Sequence, residues 1–146
     1  MAQHTHAIPL TIDYVEISVT DLAAARDFYA AAFGWTFTDY GPGYSGIRTA
    51  AEAASEADEA GGLLLTDRVT PGGPLVLLFS DDLHATLEAV TAAGGTVVKG
   101  PYEFPGGRRF HFHDPSGNEL GVWGTTTVTE DFLADRDQGE QERAAL

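Results

Sequence analysis

Two histidines, His111 and His113, stand two residues apart in Arg108–His113, a stretch that reads as a strand. Residues two apart on a strand share a face. Both imidazoles therefore lie with Arg109, and Phe110 and Phe112 lie opposite them as core. A His-x-His pair can chelate zinc, nickel or copper, with Glu16 or Glu119 as a third ligand. Without a metal, a carboxylate beside a histidine suits proton transfer near neutral pH. Glu16 and His111 are the candidate acid–base pair. Glu16 can instead form an internal ion pair with Arg109. The His-x-His also reads as a plain polar face beside a turn. Other motifs carry less. Gly41–Gly46 matches GxGxxG, but no helix follows it to cradle a phosphate. Ser18 and Ser45 lie in no nucleophile elbow.

The chain of 146 residues has room for one domain with a real core. It has no cysteine, which excludes disulfides and thiolate metal sites. Its net charge of -14 argues against a nucleic-acid partner, because phosphate binding needs clustered Lys and Arg. Much of the acidity falls in residues 51–60, including Glu59, and in the tail from Thr125; it reads as a solvating surface. No signal pattern opens the chain and no apolar run is long enough to span a bilayer. The expected setting is cytoplasmic, with no membrane partner.

An internal repeat must position these residues. Residues 14–37 and 75–98 align without a gap. Each copy runs strand, Asp, helix, glycine, strand. Asp21 and Asp82 stand where helix N-caps belong, and Gly34 and Gly95 where a C-cap needs positive φ. Tyr44–Thr49 and Gly62–Thr66 complete the first copy as strands. Arg108–His113 and Glu119–Trp123 complete the second, joined by the turn Pro115-Ser116-Gly117-Asn118. The expected class is α+β, with βαβββ twice. The domain spans 12–124, with modules at about 12–66 and 75–124 and a linker at 67–74. Residues 1–11 form an N-terminal extension. Residues 51–61 read as an inserted loop or short helix. Residues 125–146 read as a mobile acidic tail with a helical turn near Phe132.

The strings VEISVTDLAAARDFY at 15–29, FGWTF at 33–37, PGGPLVLLFSDDL at 71–83, AAGGTV at 92–97 and GGRRFHFHDPSGNELGVW at 106–123 together resemble the vicinal-oxygen-chelate superfamily. That superfamily includes glyoxalases, bleomycin-resistance proteins and extradiol dioxygenases. The likeness covers about residues 12–124. It implies that the modules form a cup-shaped mixed sheet with helices outside. In metal-using relatives the cup holds a divalent cation. The matching positions here are Tyr14, Leu75, Gly121 and one within Gly62–Leu65, none of which suits such a cation. The resemblance thus implies a family member with neither metal nor other cofactor.

If Tyr14 faces the cup, so do Glu16 and Ser18. Leu75, Leu77 and Phe79 follow in the second copy, then Glu119, Gly121 and Trp123, and Arg109, His111 and His113. One wall is apolar and the other polar, as in small-molecule sites. Two functions fit. The first is binding of an antibiotic or metabolite, through Tyr14, Ser18, Leu77, Phe79, Arg109, Glu119 and Trp123. The second is metal-independent isomerase, cyclase or lyase chemistry by Glu16 and His111 on a carbonyl-bearing or polyketide-like substrate. Open sheet edges and the paired modules lead us to expect a homodimer.

Overall fold

The computed structural model describes residues 8–49, 59–70 and 72–125. Most of the inserted segment, the acidic tail with Phe132 and the first seven residues lie outside the described residues. Within them the order is β1 (Val15–Val19), α1 (Leu22–Phe33), β2 (Thr36–Asp39), β3 (Tyr44–Arg48), β4 (Gly61–Leu65), β5 (Leu77–Phe79), α2 (Leu83–Ala92), β6 (Thr96–Phe104), β7 (Gly107–His113) and β8 (Glu119–Gly124). This is βαβββ twice. Each module makes a four-stranded mixed sheet, in the orders β1-β4-β3-β2 and β5-β8-β7-β6. The first strand of each module pairs parallel with the last, and the other pairs are antiparallel.

Local chemistry sets the helix ends. The Asp21 carboxylate accepts from the Ala24 N–H at 2.9 Å, and Asp82 does the same for Ala85 at 3.1 Å. Each relieves one of the unpaired N–H groups of a first turn. Gly34 closes α1 at φ 73°. At the end of α2 the left-handed residue is Gly94, at φ 104°, rather than Gly95. Ala93 is the cap there and stays right-handed, which moves the turn one residue forward.

One face of each sheet packs on the helices. Ile17, Val19, Ile47 and Leu63 from the first sheet join Phe110, Phe112, Leu120 and Val122 from the second in a single core cluster. Phe28 and Tyr29 of α1 fill its centre. Tyr29 stacks on Trp35 at 4.6 Å, and Phe28 and Phe33 both reach Phe112. Complete burial of each such ring stabilises the fold by roughly 1.5–3 kcal/mol. The expected assignment of Phe110 and Phe112 to the core agrees with their full burial.

β6 runs on past residue 98, where the aligned repeat ends. The strand continues through Gly100-Pro101 to Phe104, with register shifts around Lys99. β6 is an edge strand and Pro101 falls within a register shift, both places where a sheet tolerates proline. Among the described residues no helix is long and apolar enough to cross a membrane.

The modules are tied together at the β7–β8 turn. Asp114, 4% exposed, accepts at Oδ1 from the Ser116 and Asn118 N–H groups, each at 2.9 Å. Its Oδ2 accepts from the Tyr29 hydroxyl at 2.8 Å and from Asn118 Nδ2 at 3.0 Å. Asn118 Nδ2 also donates to the Ser18 carbonyl, and the Thr20 N–H donates to Ser116 Oγ. Asp114→Ala would strand several buried donors. It is expected to cost about 3 kcal/mol and lower the thermal midpoint by roughly 10 °C. Calorimetry checks this, and a shift under 3 °C would contradict the role assigned to Asp114.

Candidate functional site

The face of the second sheet turned away from the helices forms a grid. Cross-strand registers align Phe79, Trp123, Arg109 and Tyr102 in one row. Leu77, Gly121, His111 and Lys99 form the next, and Glu119, His113 and Thr96 the third. Leu75 precedes β5 rather than lying in it. The β5 side is apolar and open: Leu75, Leu77 and Phe79 are 38%, 37% and 59% exposed. Phe79 and Phe104 both meet Trp123 edge-on, at 5.0 and 6.2 Å.

The β7 side carries a hydrogen-bonded chain. His111, only 6% exposed, bonds through Nδ1 to Glu119 Oε2 at 2.8 Å and through Nε2 to the Tyr102 hydroxyl at 2.9 Å. Arg109 Nε donates to the same hydroxyl. A carboxylate only accepts, so Nδ1 carries a proton. With a neutral imidazole, Tyr102 donates to Nε2. With an imidazolium, Nε2 donates to Tyr102 and frees the phenolic proton. The direction of the Tyr102–His111 bond therefore follows the charge state of the imidazole. His113 stands 3.6 Å from Glu119 Oε1 at the open end, beside a cavity of about 260 Å3. The hydrogen bond from His111 is the largest influence holding the Glu119 carboxyl below its ordinary range.

The first sheet has its own polar face, and the two acid–base candidates do not meet. Glu16 is exposed on β1 and bonds to Tyr44, whose hydroxyl lies 2.6 Å from that of Tyr14. Burial is the first cause raising both phenols, and the bonds to Tyr14 and Glu16 raise Tyr44 further. Glu16 is thus engaged within the first module and Arg109 within the second. The ion pair between them does not form. Ser18 is half-buried beside Glu16, and its carbonyl is taken by Asn118.

Glu59 departs most from expectation. It sits in a run that reads as solvating surface, yet it is 1% exposed. Its Oε2 accepts from the Tyr40 hydroxyl at 2.7 Å, and its Oε1 has no partner. The carboxylate occupies the space where a side chain on Gly46 would stand. Gly46 and Gly62 leave room for Glu59 and Tyr44 respectively, a relation that only the folded sheet reveals.

The residues present do not fit the divalent cation that the sequence resemblance brings to mind. The Tyr14 hydroxyl is bonded to Tyr44, and Leu75 has no donor atom. The space over Gly121 is filled by the Leu77 side chain. Both ring nitrogens of His111 are engaged. Among the described residues no group of three or more His, Asp or Glu side chains is placed to hold a metal. A second cavity, about 610 Å3, opens beside β5 between Phe33, Trp35, Thr49, Leu77, Phe79 and Thr86. Sequence reasoning missed Tyr102, Phe104 and Lys99 here because it ended β6 too early. The aromatic spacing Tyr102-x-Phe104 was the available signal.

A family model for the Glyoxalase/Bleomycin resistance protein/Dioxygenase superfamily matches residues 11–122. A Mycobacterium tuberculosis relative named "Putative glyoxylase CFP32" is 30% identical, over 82% of this chain and 50% of its own length. The anthracycline biosynthesis protein DnrV of Streptomyces peucetius is 32% identical, over 75% of this chain and 45% of its own. The chain spans about half the length of these curated relatives. Among solved structures, a glyoxalase-related enzyme from Fulvimarina pelagi aligns with a TM-score of 0.64 at 20% identity, covering 80% of this chain and 88% of that one. The antibiotic binding protein TnmS3 from Streptomyces sp. CB03234 aligns with a TM-score of 0.59 at 24% identity, covering 83% and 100%. At these identities the two structures show the fold alone.

The depressed Glu119 carboxyl has a consequence for acid stability. Its folded value lies below the ordinary 4.5, so its contribution is present above that pH and is lost as pH falls through the folded value. Glu119→Gln should therefore lose less stability than the parent between pH 6 and pH 3. Urea midpoints at the two pH values check this. Equal losses in both proteins would contradict it.

Proposed function

Because the chain belongs to the glyoxalase/bleomycin resistance protein/dioxygenase superfamily, we propose that it binds a small organic molecule, an antibiotic or metabolite with a planar ring system, without a metal. The observation that carries this reading is the open aromatic strip Phe79–Trp123–Phe104 beside a satisfied polar network. Exposed aromatic surface next to fixed polar groups is the usual make-up of a small-molecule site. Tyr14 and Ser18 would contribute from the first module's face, and Leu77, Arg109 and Glu119 from the second's. The name of DnrV, an anthracycline biosynthesis protein, is in keeping with a polycyclic ligand.

A second reading rests on the chain Glu119–His111–Tyr102, which can move a proton between a phenol and an imidazole. It is metal-independent isomerase, cyclase or lyase chemistry. His111 would act there through Tyr102, and Glu16 would act from its separate network. The setting proposed for either reading is the cytoplasm. The protein is proposed to be a homodimer, because β1 and β5 are edge strands and Leu75, Leu77 and Phe79 stand exposed along β5. Light scattering should give twice 15.5 kDa. A mass of one chain at high concentration would exclude the dimer.

The binding test is a fluorescence titration with neutral anthraquinone-2-carboxamide in the presence of EDTA. Trp123 is the reporter, since Trp35 is buried against Tyr29. Saturable quenching is expected with a Kd on the order of 10–100 μM, as about 0.3 kcal/mol per heavy atom gives for a ligand of this size. Phe79→Ala should weaken it several-fold. Absence of saturable quenching, together with no retained ligand in the native mass spectrum of fresh protein, would overturn the reading.

A further inference from the structure

The chain carries eight basic residues against twenty-two acidic ones. Two of those eight converge on one ring at the end of the aromatic strip. Lys99 Nζ lies 4.9 Å from the Tyr102 centroid, and the Arg109 guanidinium carbon lies 5.3 Å from it. Arg109 also lies 5.1 Å from the centroid of Phe104. Among the described residues neither cation has a carboxylate within ion-pair distance. Two cations set together with no carboxylate beside them among the described residues suit a ligand that brings its own negative charge.

The geometry of Arg109 is specific. Its Nε is bonded to the Tyr102 hydroxyl, which His111 and Glu119 hold in turn. That anchors the guanidinium and leaves its two Nη groups for another acceptor. A planar fork with two free donors matches the two oxygens of a carboxylate, or an acidic phenolate beside a carbonyl. Trp123 is the cross-strand neighbour of Arg109, and Phe79 neighbours Trp123. The face therefore runs from an open apolar end to a cationic end.

We infer that this face selects planar aromatic molecules carrying an ionised oxygen, with Arg109 and Lys99 as the anion subsite and Phe79, Trp123 and Phe104 as the ring platform. This rests on the binding function proposed above and assigns its ligand class. Lys99 supplies long-range attraction against the negative field of the rest of the chain. Arg109 supplies the directional contact. Tyr102 and His111 are positioning residues, which fix Arg109 rather than touch the ligand.

The test compares anthraquinone-2-carboxylate with the neutral anthraquinone-2-carboxamide at pH 7.5, by quenching of Trp123. The carboxylate should bind at least about tenfold more tightly, as a charge-assisted hydrogen bond implies. That preference should shrink as salt is raised from 20 to 500 mM, while carboxamide binding stays constant. Arg109→Gln should abolish the preference, read as the ratio of the two dissociation constants in that same variant. Because Arg109 is tied into the network, Lys99→Gln provides a second variant at an exposed position. It should reduce the preference several-fold with an unchanged thermal midpoint. Equal binding of both probes to the parent protein overturns the anion subsite and leaves the aromatic site standing. A preference that survives both substitutions also overturns it. Failure of both probes to bind overturns the subsite and the binding function together.

Discussion

The carboxylate of Asp114 accepts four hydrogen bonds, and they come from both modules. Its two oxygens have about four lone-pair directions, and all are used. Tyr29 brings the first helix, while Ser116 and Asn118 bring the turn between the last two strands. Asn118 and Ser116 in turn hold the end of β1 through Ser18 and Thr20. Burial, then the neighbouring Asp114 charge, push the Tyr29 phenol far above its usual range, so it is a donor at any ordinary pH. The Asp114 N–H bonds back to the Asn118 carbonyl, which closes the turn and sets the start of the β7–β8 ladder. The cross-strand positions of His111, Arg109, Gly121 and Trp123 all follow from that register.

The sequence carries this part of the molecule openly. Asp-Pro-Ser-Gly-Asn has one reading as a turn, and the alternation of Arg109, His111 and His113 with Phe110 and Phe112 has one assignment to a buried face. The repeat is equally plain, because each copy needs an Asp to start its helix and a glycine to leave it. What the sequence conceals has two physical origins. The repeat ends at residue 98, and Pro lacks a backbone donor, yet β6 is an edge strand that continues through Pro101 at a register shift. Tyr102, the centre of the polar chain, lies beyond the end of the repeat. Glu59 is concealed for another reason. Local charge density points to water, and only the glycine at position 46, on a different strand, provides the space that buries it.

Glycines on the sheet faces explain why the polar residues form two networks rather than one. On the first sheet, Gly62 and Gly46 admit the Tyr44 hydroxyl and the Glu59 carboxylate against the backbone. Tyr44 then ties Glu16 and Tyr14 to that spot. On the second sheet, Gly121 admits Leu77 and lies beside His111. Leu77 thus fills the place where a longer side chain on β8 would reach into the cup. Restoring a carboxylate at position 121 would require displacing Leu77. A larger side chain at position 121 is thus opposed by the packing of Leu77 as well as by the residue type.

Saturation of the polar chain bears on how the second face works. His111 has no ring nitrogen left for an external group, and Tyr102 meets both His111 and Arg109 with one hydroxyl. A histidine so placed transmits rather than acts. Its direct effect is to fix the phenol, and the phenol's effect is to fix the guanidinium. The polar groups left for a visitor are at the two ends: the half-exposed Glu119 beside His113, and the Nη groups of Arg109 beside Trp123. One end is acceptor-rich and the other is donor-rich. An acceptor bound at Arg109 would compete with the Tyr102 hydroxyl for the guanidinium and so reach the hydrogen bond between Tyr102 and His111. Glu119, His111, Tyr102 and Arg109 thus form one continuous hydrogen-bonded chain, and its acceptor end and its donor end lie on the same face of the sheet.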